Sequence, residues 1–215
     1  MNDFDECLER SRGLNGLDDV DAILAFFDGG AVVREASREE ERRGIDYVAR
    51  LDGGAVVFFD AKRRMGSFAK YWRSGPEVAL EIWSVCPEPG KPGKVGWALD
   101  EAKATHYILF TYNPQECAQR FIVPFQLMRV AFKANRATWE KRYKTESRQP
   151  NKRGARRWCS SCVFVPVRVM WDAMREASML TYTYTADTAS QHLAASVAAK
   201  PGDPPAAPVQ TTFWQ

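Results

Sequence analysis

The chain has 215 residues, 45% of them hydrophobic and 27% charged, enough for one domain with a well-buried core. A formal net charge of +3 excludes a polycation, so any case for a nucleic-acid partner must rest on local clustering. The opening "MNDFDECLER" lacks the basic-then-apolar layout of a secretory leader, and no apolar run approaches the roughly 18 residues of a membrane span, so a cytoplasmic protein with no membrane partner is expected.

Two helices are predicted first, over "DFDECLERS" and over "LDDVDAILAFFDGG", where Leu17, Val20, Ile23, Leu24 and Phe27 recur at helical spacing and Gly29-Gly30 ends the run. "AVVREAS" (31–37) reads as a strand and "REEERRG" as a solvated connection. A hairpin, "GIDYVARLDGGAVVFFDAKRR" (44–64), follows, and then a strand, "EVALEIWSV" (77–85). "CPEPGKPGK" is a loop by its prolines and glycines, and "GWALDEAKAT" reads as a short helix feeding the strand "HYILFTY" (106–112). A long helix is expected from about Pro124, then a basic loop, "KTESRQPNKRGARRW", a strand, "CVFVPV", and a helix, "RVMWDAMREA". The Ala/Thr/Pro-rich end lacks large apolar side chains, so residues 183–215 are read as a disordered tail behind a domain of residues 1–182. The element order mixes antiparallel and parallel connections, which argues for an α/β sandwich on a mixed sheet.

Five cysteines are an odd count. Cys159 and Cys162 form one "CSSC", but Cys86, Cys117, His106 and His192 are scattered singly, so no thiolate metal centre is expected.

The hairpin carries the chemistry. Side chains alternate faces along a strand, so Ile45, Tyr47, Ala49 and Leu51 share one face of the first strand, and Ala55, Val57, Phe59 and Ala61 share one face of the second. Both sets are apolar and must enter the same core, which selects a three-residue turn, Asp52-Gly53-Gly54, with a glycine in the left-handed region. That register sets Asp46 beside Asp60, with Lys62 one step further on the same face. Like charges opposite each other destabilise a sheet. Either a divalent cation between the carboxylates compensates, since magnesium takes hard oxygen ligands, or the strand ends are solvated and Lys62 neutralises one acid.

"GID" followed after a hairpin by "DAK" resembles the PD-(D/E)XK nuclease superfamily. Asp46 matches its first acidic position, Asp60 the second and Lys62 the lysine; Ile45 stands where the family often has proline. "DDVDAILAFFDGGAVVREAS" is similar to the helix-then-strand that opens this fold in the Holliday-junction resolvase branch. Later segments look like those of nuclease-like proteins common on phages and mobile elements. The core resemblance covers about residues 15 to 112. It implies a restriction-endonuclease-like mixed β-sheet flanked by helices, and Mg²⁺ or Mn²⁺ held by Asp46, Asp60 and the Ala61 carbonyl. Lys62 would orient a water or stabilise the transition state. Glu81 would be a further ligand or an outward-facing sheet residue. An acidic residue on the opening helix is also implied, with Asp18, Asp19 and Asp21 as candidates. Similar folds often form homodimers, since two strands need two cuts.

DNA would be held by Lys141, Arg142, Lys144, Arg148, Lys152, Arg153, Arg156 and Arg157, a cluster with few acids. Within "KRRMGSFAKYWR" (62–73), Phe68, Tyr71 and Trp72 either stack on bases or pack. Two functions compete: a metal-dependent deoxyribonuclease, and a silent nuclease-fold module that binds nucleic acid or protein, as a defence or counter-defence factor would. Retention of Asp46, Asp60 and Lys62 favours the first.

Overall fold

The computed structural model describes residues 2–3, 17–64, 76–112, 119–153 and 155–179. Of the helix expected over "DFDECLERS" only Asp3 is described, in a strand; the rest of it, the aromatics Phe68, Tyr71 and Trp72, and the tail lie outside the described residues. Residues 1–177 form one compact unit; of a second, 178–215, only Ser178 and Met179 are described.

The elements are β1 (Asn2–Asp3), α1 (Leu17–Phe26), β2 (Ala31–Glu35), α2 (Arg38–Arg42), β3 (Tyr47–Leu51), β4 (Val56–Arg64), β5 (Glu77–Val85), β6 (Lys94–Val95), β7 (Tyr107–Tyr112), β8 (Gln119–Pro124), α3 (Phe125–Arg142), β9 (Thr145–Arg153), β10 (Arg156–Pro166) and α4 (167–179). They form a mixed α/β structure with two five-stranded sheets, ordered β2-β3-β4-β7-β8 and β1-β9-β10-β5-β6. The single mixed sheet expected from the sequence is therefore two sheets, and β5 leaves the hairpin's sheet to pair with β10 and β6. No described helix is long and apolar enough to cross a membrane.

Strand parity decides what the first sheet buries. Tyr47, Ala49, Val57, Phe59 and Leu109 pack with Ile23 of α1 in one core. On the other face Ile108, Phe110 and Tyr112 join β5, β10, α3 and α4 in a second, larger core. β7 is covered on both faces, as an interior strand parallel to a neighbour usually is.

Three segments differ from the sequence-based expectation. "REEER" is helical: Ser37 caps the Glu40 amide while the Glu40 carboxylate accepts from the Ser37 N–H at 2.7 Å, a reciprocal box visible in the sequence as Ser-x-x-Glu. "GWALDEAKAT" makes one turn only, with Leu99 and Asp100 N–H donating to the Gly96 carbonyl. It continues no further because the Ala102 N–H, which a helix would give to the Ala98 carbonyl, donates to the Asp100 carboxylate. The basic stretch is no loop but the paired strands β9 and β10, joined with Arg153 opposite Arg156.

Gly96 fixes the approach of that turn to β5. Its N–H donates to the Ile82 carbonyl at 2.9 Å, and a Cβ there would overlap the Glu81 carbonyl group. Backbone cannot yield as a side-chain tip can, so Gly96→Ala is expected to lower the urea midpoint by an amount corresponding to about 3 kcal/mol. An unchanged midpoint would show that the turn moves away freely.

Candidate active site

The observed register is Tyr47↔Phe59, Val48↔Phe58, Ala49↔Val57 and Arg50↔Val56, with the Leu51 N–H on the Ala55 carbonyl and Gly54 at φ 82°. This is the three-residue turn that the apolar alternation demands. One step past Tyr47 the ladder departs from strict pairing. The Asp46 N–H donates to Phe59, not to Asp60, at 2.8 Å, and its carboxylate reaches across to accept from the Ala61 N–H at 2.7 Å.

Asp60 is 2% exposed. Its Oδ1 accepts from the Lys62 ammonium at 2.5 Å and its Oδ2 from the Lys103 ammonium. Burial alone would raise the Asp60 pKa, but the two ammoniums outweigh it and hold the carboxyl below its usual range. Lys62 is opposed by burial too, yet Asp60, Asp46 and Glu81 raise its pKa. Lys103, only 7% exposed, is lowered by burial and by the Lys62 charge beside it. The Trp97 ring roofs both amines, 5.2 Å from Lys62 Nζ and 5.7 Å from Lys103 Nζ.

Asp46 lies at the rim of this cluster. Loss of water on its inner side, then the Asp60 charge, push it up to about 6. The native state thus holds this proton more tightly than the unfolded chain, whose carboxyl titrates near 4. The stabilising contribution is complete below about pH 4 and is lost as pH rises through 6. Subtracting the stability profile of Asp46→Asn from that of wild type should reveal a loss of about 1 kcal/mol across that window, after allowance for solvent screening. A flat difference profile would remove the coupling to Asp60.

Glu81 comes from the other sheet. Its carboxylate accepts from Ser84 Oγ at 2.6 Å and from the Trp97 N–H at 3.2 Å, and its charge acts on Lys62. Among the described residues no group of three or more His, Cys, Asp or Glu surrounds one ion position. The carboxylates of Asp46 and Asp60 are hard oxygen donors of the kind that Mg²⁺ or Mn²⁺ takes.

Of the opening-helix acids, Asp21 is exposed, while Asp19 is buried on the opposite face of the sheet. There it accepts from Arg63 Nε at 2.9 Å and Thr111 Oγ1 at 3.1 Å, so it belongs to another cluster. Of the basic residues, Lys141, Arg142, Lys144, Arg148, Arg153 and Arg157 are exposed and Lys152 is half-buried; the Arg156 side chain is outside the described set. Lys141 and Arg142 also lie in the last turn of α3, where they complement its dipole, and Lys144 pairs with Glu146 at 3.1 Å. His106 is structural: its Nδ1 accepts from the Phe58 N–H at 3.0 Å, and burial lowers its pKa.

The residue that sequence reasoning missed is Lys103. It lies 43 positions from Asp60 in a segment that resembled a helix surface, and no local pattern marks it. In the structure Gly44, at φ 77°, lies against it: a Cβ there would stand 2.7 Å from Lys103 Cε. The Thr105 hydroxyl, donating to the Gly44 carbonyl at 2.9 Å, ties the two segments together. No protein-family model, curated protein or solved structure matches this chain.

Proposed function

We propose that the chain is a metal-dependent nuclease of the PD-(D/E)XK type that hydrolyses DNA phosphodiester bonds. The observation that carries this reading is the Asp46 carboxylate drawn across to the Ala61 amide beside Asp60, with Lys62 on Asp60. The topology supports it as well: α1 precedes an antiparallel meander β2-β3-β4, and β7 lies parallel to β4.

Asp46, Asp60 and the Ala61 carbonyl would hold Mg²⁺ or Mn²⁺, which when bound supplies a water of lowered pKa and offsets phosphate charge. Lys62, with 30% of its side chain exposed, can reach a phosphate while staying near Asp60. Trp97 shields both amines from bulk water, which strengthens their field on an arriving anion. The exposed cations along β9 and β10 supply sequence-independent backbone contacts.

A silent binding module has one observation in its favour. Both oxygens of Asp60 already carry an ammonium, so the acid is neutralised without an ion. Incubation of linear, nicked and supercoiled DNA with Mg²⁺, Mn²⁺ or EDTA separates the two. The nuclease reading expects cleavage that EDTA stops and that Lys62→Met abolishes; retained DNA binding with no cleavage under either metal would support the module.

A further inference from the structure

We propose that Lys103 is a positioning residue that stands on Asp60 in the place of a divalent cation and is exchanged for it when the cation binds. The inference rests on the metal-site reading above, and it adds a competitor that the motif does not contain.

Three observations carry it. Lys103 is held, not incidental: its side chain is 7% exposed, its ammonium sits on Asp60 Oδ2, and Trp97 covers it. Its stem packs against Gly44, where a Cβ would stand 2.7 Å from Lys103 Cε, and the Thr105 hydroxyl donates to the Gly44 carbonyl beside it. Asp60 also has no oxygen without an ammonium partner, since Lys62 occupies Oδ1. A cation can therefore use Asp60 only by displacing an amine or by crowding beside one.

Of the two, Lys103 is the one to leave. Asp46 acts on both amines, but Lys62 is additionally drawn by Glu81. The exchange moves no proton: the ammonium keeps its three hydrogens and changes partner, freeing a cation close to where a phosphate would bind. Its role in the metal-free protein is to keep a buried carboxylate from standing uncompensated.

The test uses the full chain with Mn²⁺ alone, followed by calorimetry, in wild type, Lys103→Met and Gly44→Ala. Lys103→Met removes the competing charge; Gly44→Ala keeps the charge but pushes its stem aside. Both are expected to bind Mn²⁺ more tightly, Lys103→Met by about tenfold or more and Gly44→Ala by less. Circular dichroism confirms folding, and the two variants back each other if one is unstable. Unchanged or weaker Mn²⁺ binding in the folded variants, with wild type binding and cleaving, overturns the Lys103 inference alone. Tighter binding in the variants with no cleavage by wild type leaves the inference standing and removes the nuclease. Absence of Mn²⁺ binding in all three overturns both.

Discussion

Asp19→Ala is expected to destabilise the protein by about 3–5 kcal/mol, read as a fall in the urea midpoint at unchanged slope. Asp19 sits on α1 with its side chain 3% exposed, and Arg63, 8% exposed, is its main partner. Arg63 donates through Nε and through a terminal nitrogen, and the same terminal nitrogen reaches the Tyr47 hydroxyl at 2.8 Å. Thr111 and Tyr47 donate to the remaining lone pairs, and Arg120 Nε stands 3.7 Å away. Truncating the acid takes from a buried guanidinium the carboxylate it donates to through two nitrogens, which costs far more than the pair itself contributes. Asp19→Asn with Arg63→Met should recover much of the loss, because the charge is then removed from both sides. The cluster lies on the α1 face of the sheet, away from Asp60. The folded fraction of Asp19→Ala should therefore keep its cleavage rate per molecule; a rate that falls with the metal requirement altered would place Asp19 in the metal site after all.

Asp60→Asn is expected to lower cleavage at least about 10³-fold, several kcal/mol of transition-state stabilisation. The reason is twofold. An amide is a poor substitute for a carboxylate as a hard anionic ligand, and it leaves both Lys62 and Lys103 without their shared anion. The second effect also reaches stability, since Lys103 is buried and retains only the more distant Asp46 charge. Lys62→Met separates the contributions. There Asp60 keeps Lys103, so stability should change less than in Asp60→Asn while cleavage is still lost. Measuring rate and urea midpoint together on both variants checks this. Equal activity in Asp60→Asn and wild type would end the proposed mechanism.

These results bear on how much of the molecule local stereochemistry prescribes. The α1 and α3 helices follow from apolar spacing at 3.6 residues, and the β3-β4 register from alternation at 2 plus a glycine that tolerates φ 82°. These are contacts between near neighbours in the chain, and each residue's own geometry decides them. By that route the sequence alone brought Asp46, Asp60 and Lys62 to one end of one hairpin.

Only the tertiary structure decided the rest. That β5 belongs to a second sheet depends on β10, which lies some 80 positions later in the chain. The 97–102 segment is anchored to that second sheet by Glu81, which takes the Trp97 amide. Lys103 is delivered to Asp60 by the same docking, and Asp19 to Arg63 by the seating of α1 on the opposite face. Burial strengthens charge pairing between residues far apart in sequence, and burial is a property of the assembled layers. The sequence names the two acids and one amine of the cluster; the packing of two sheets adds the second amine.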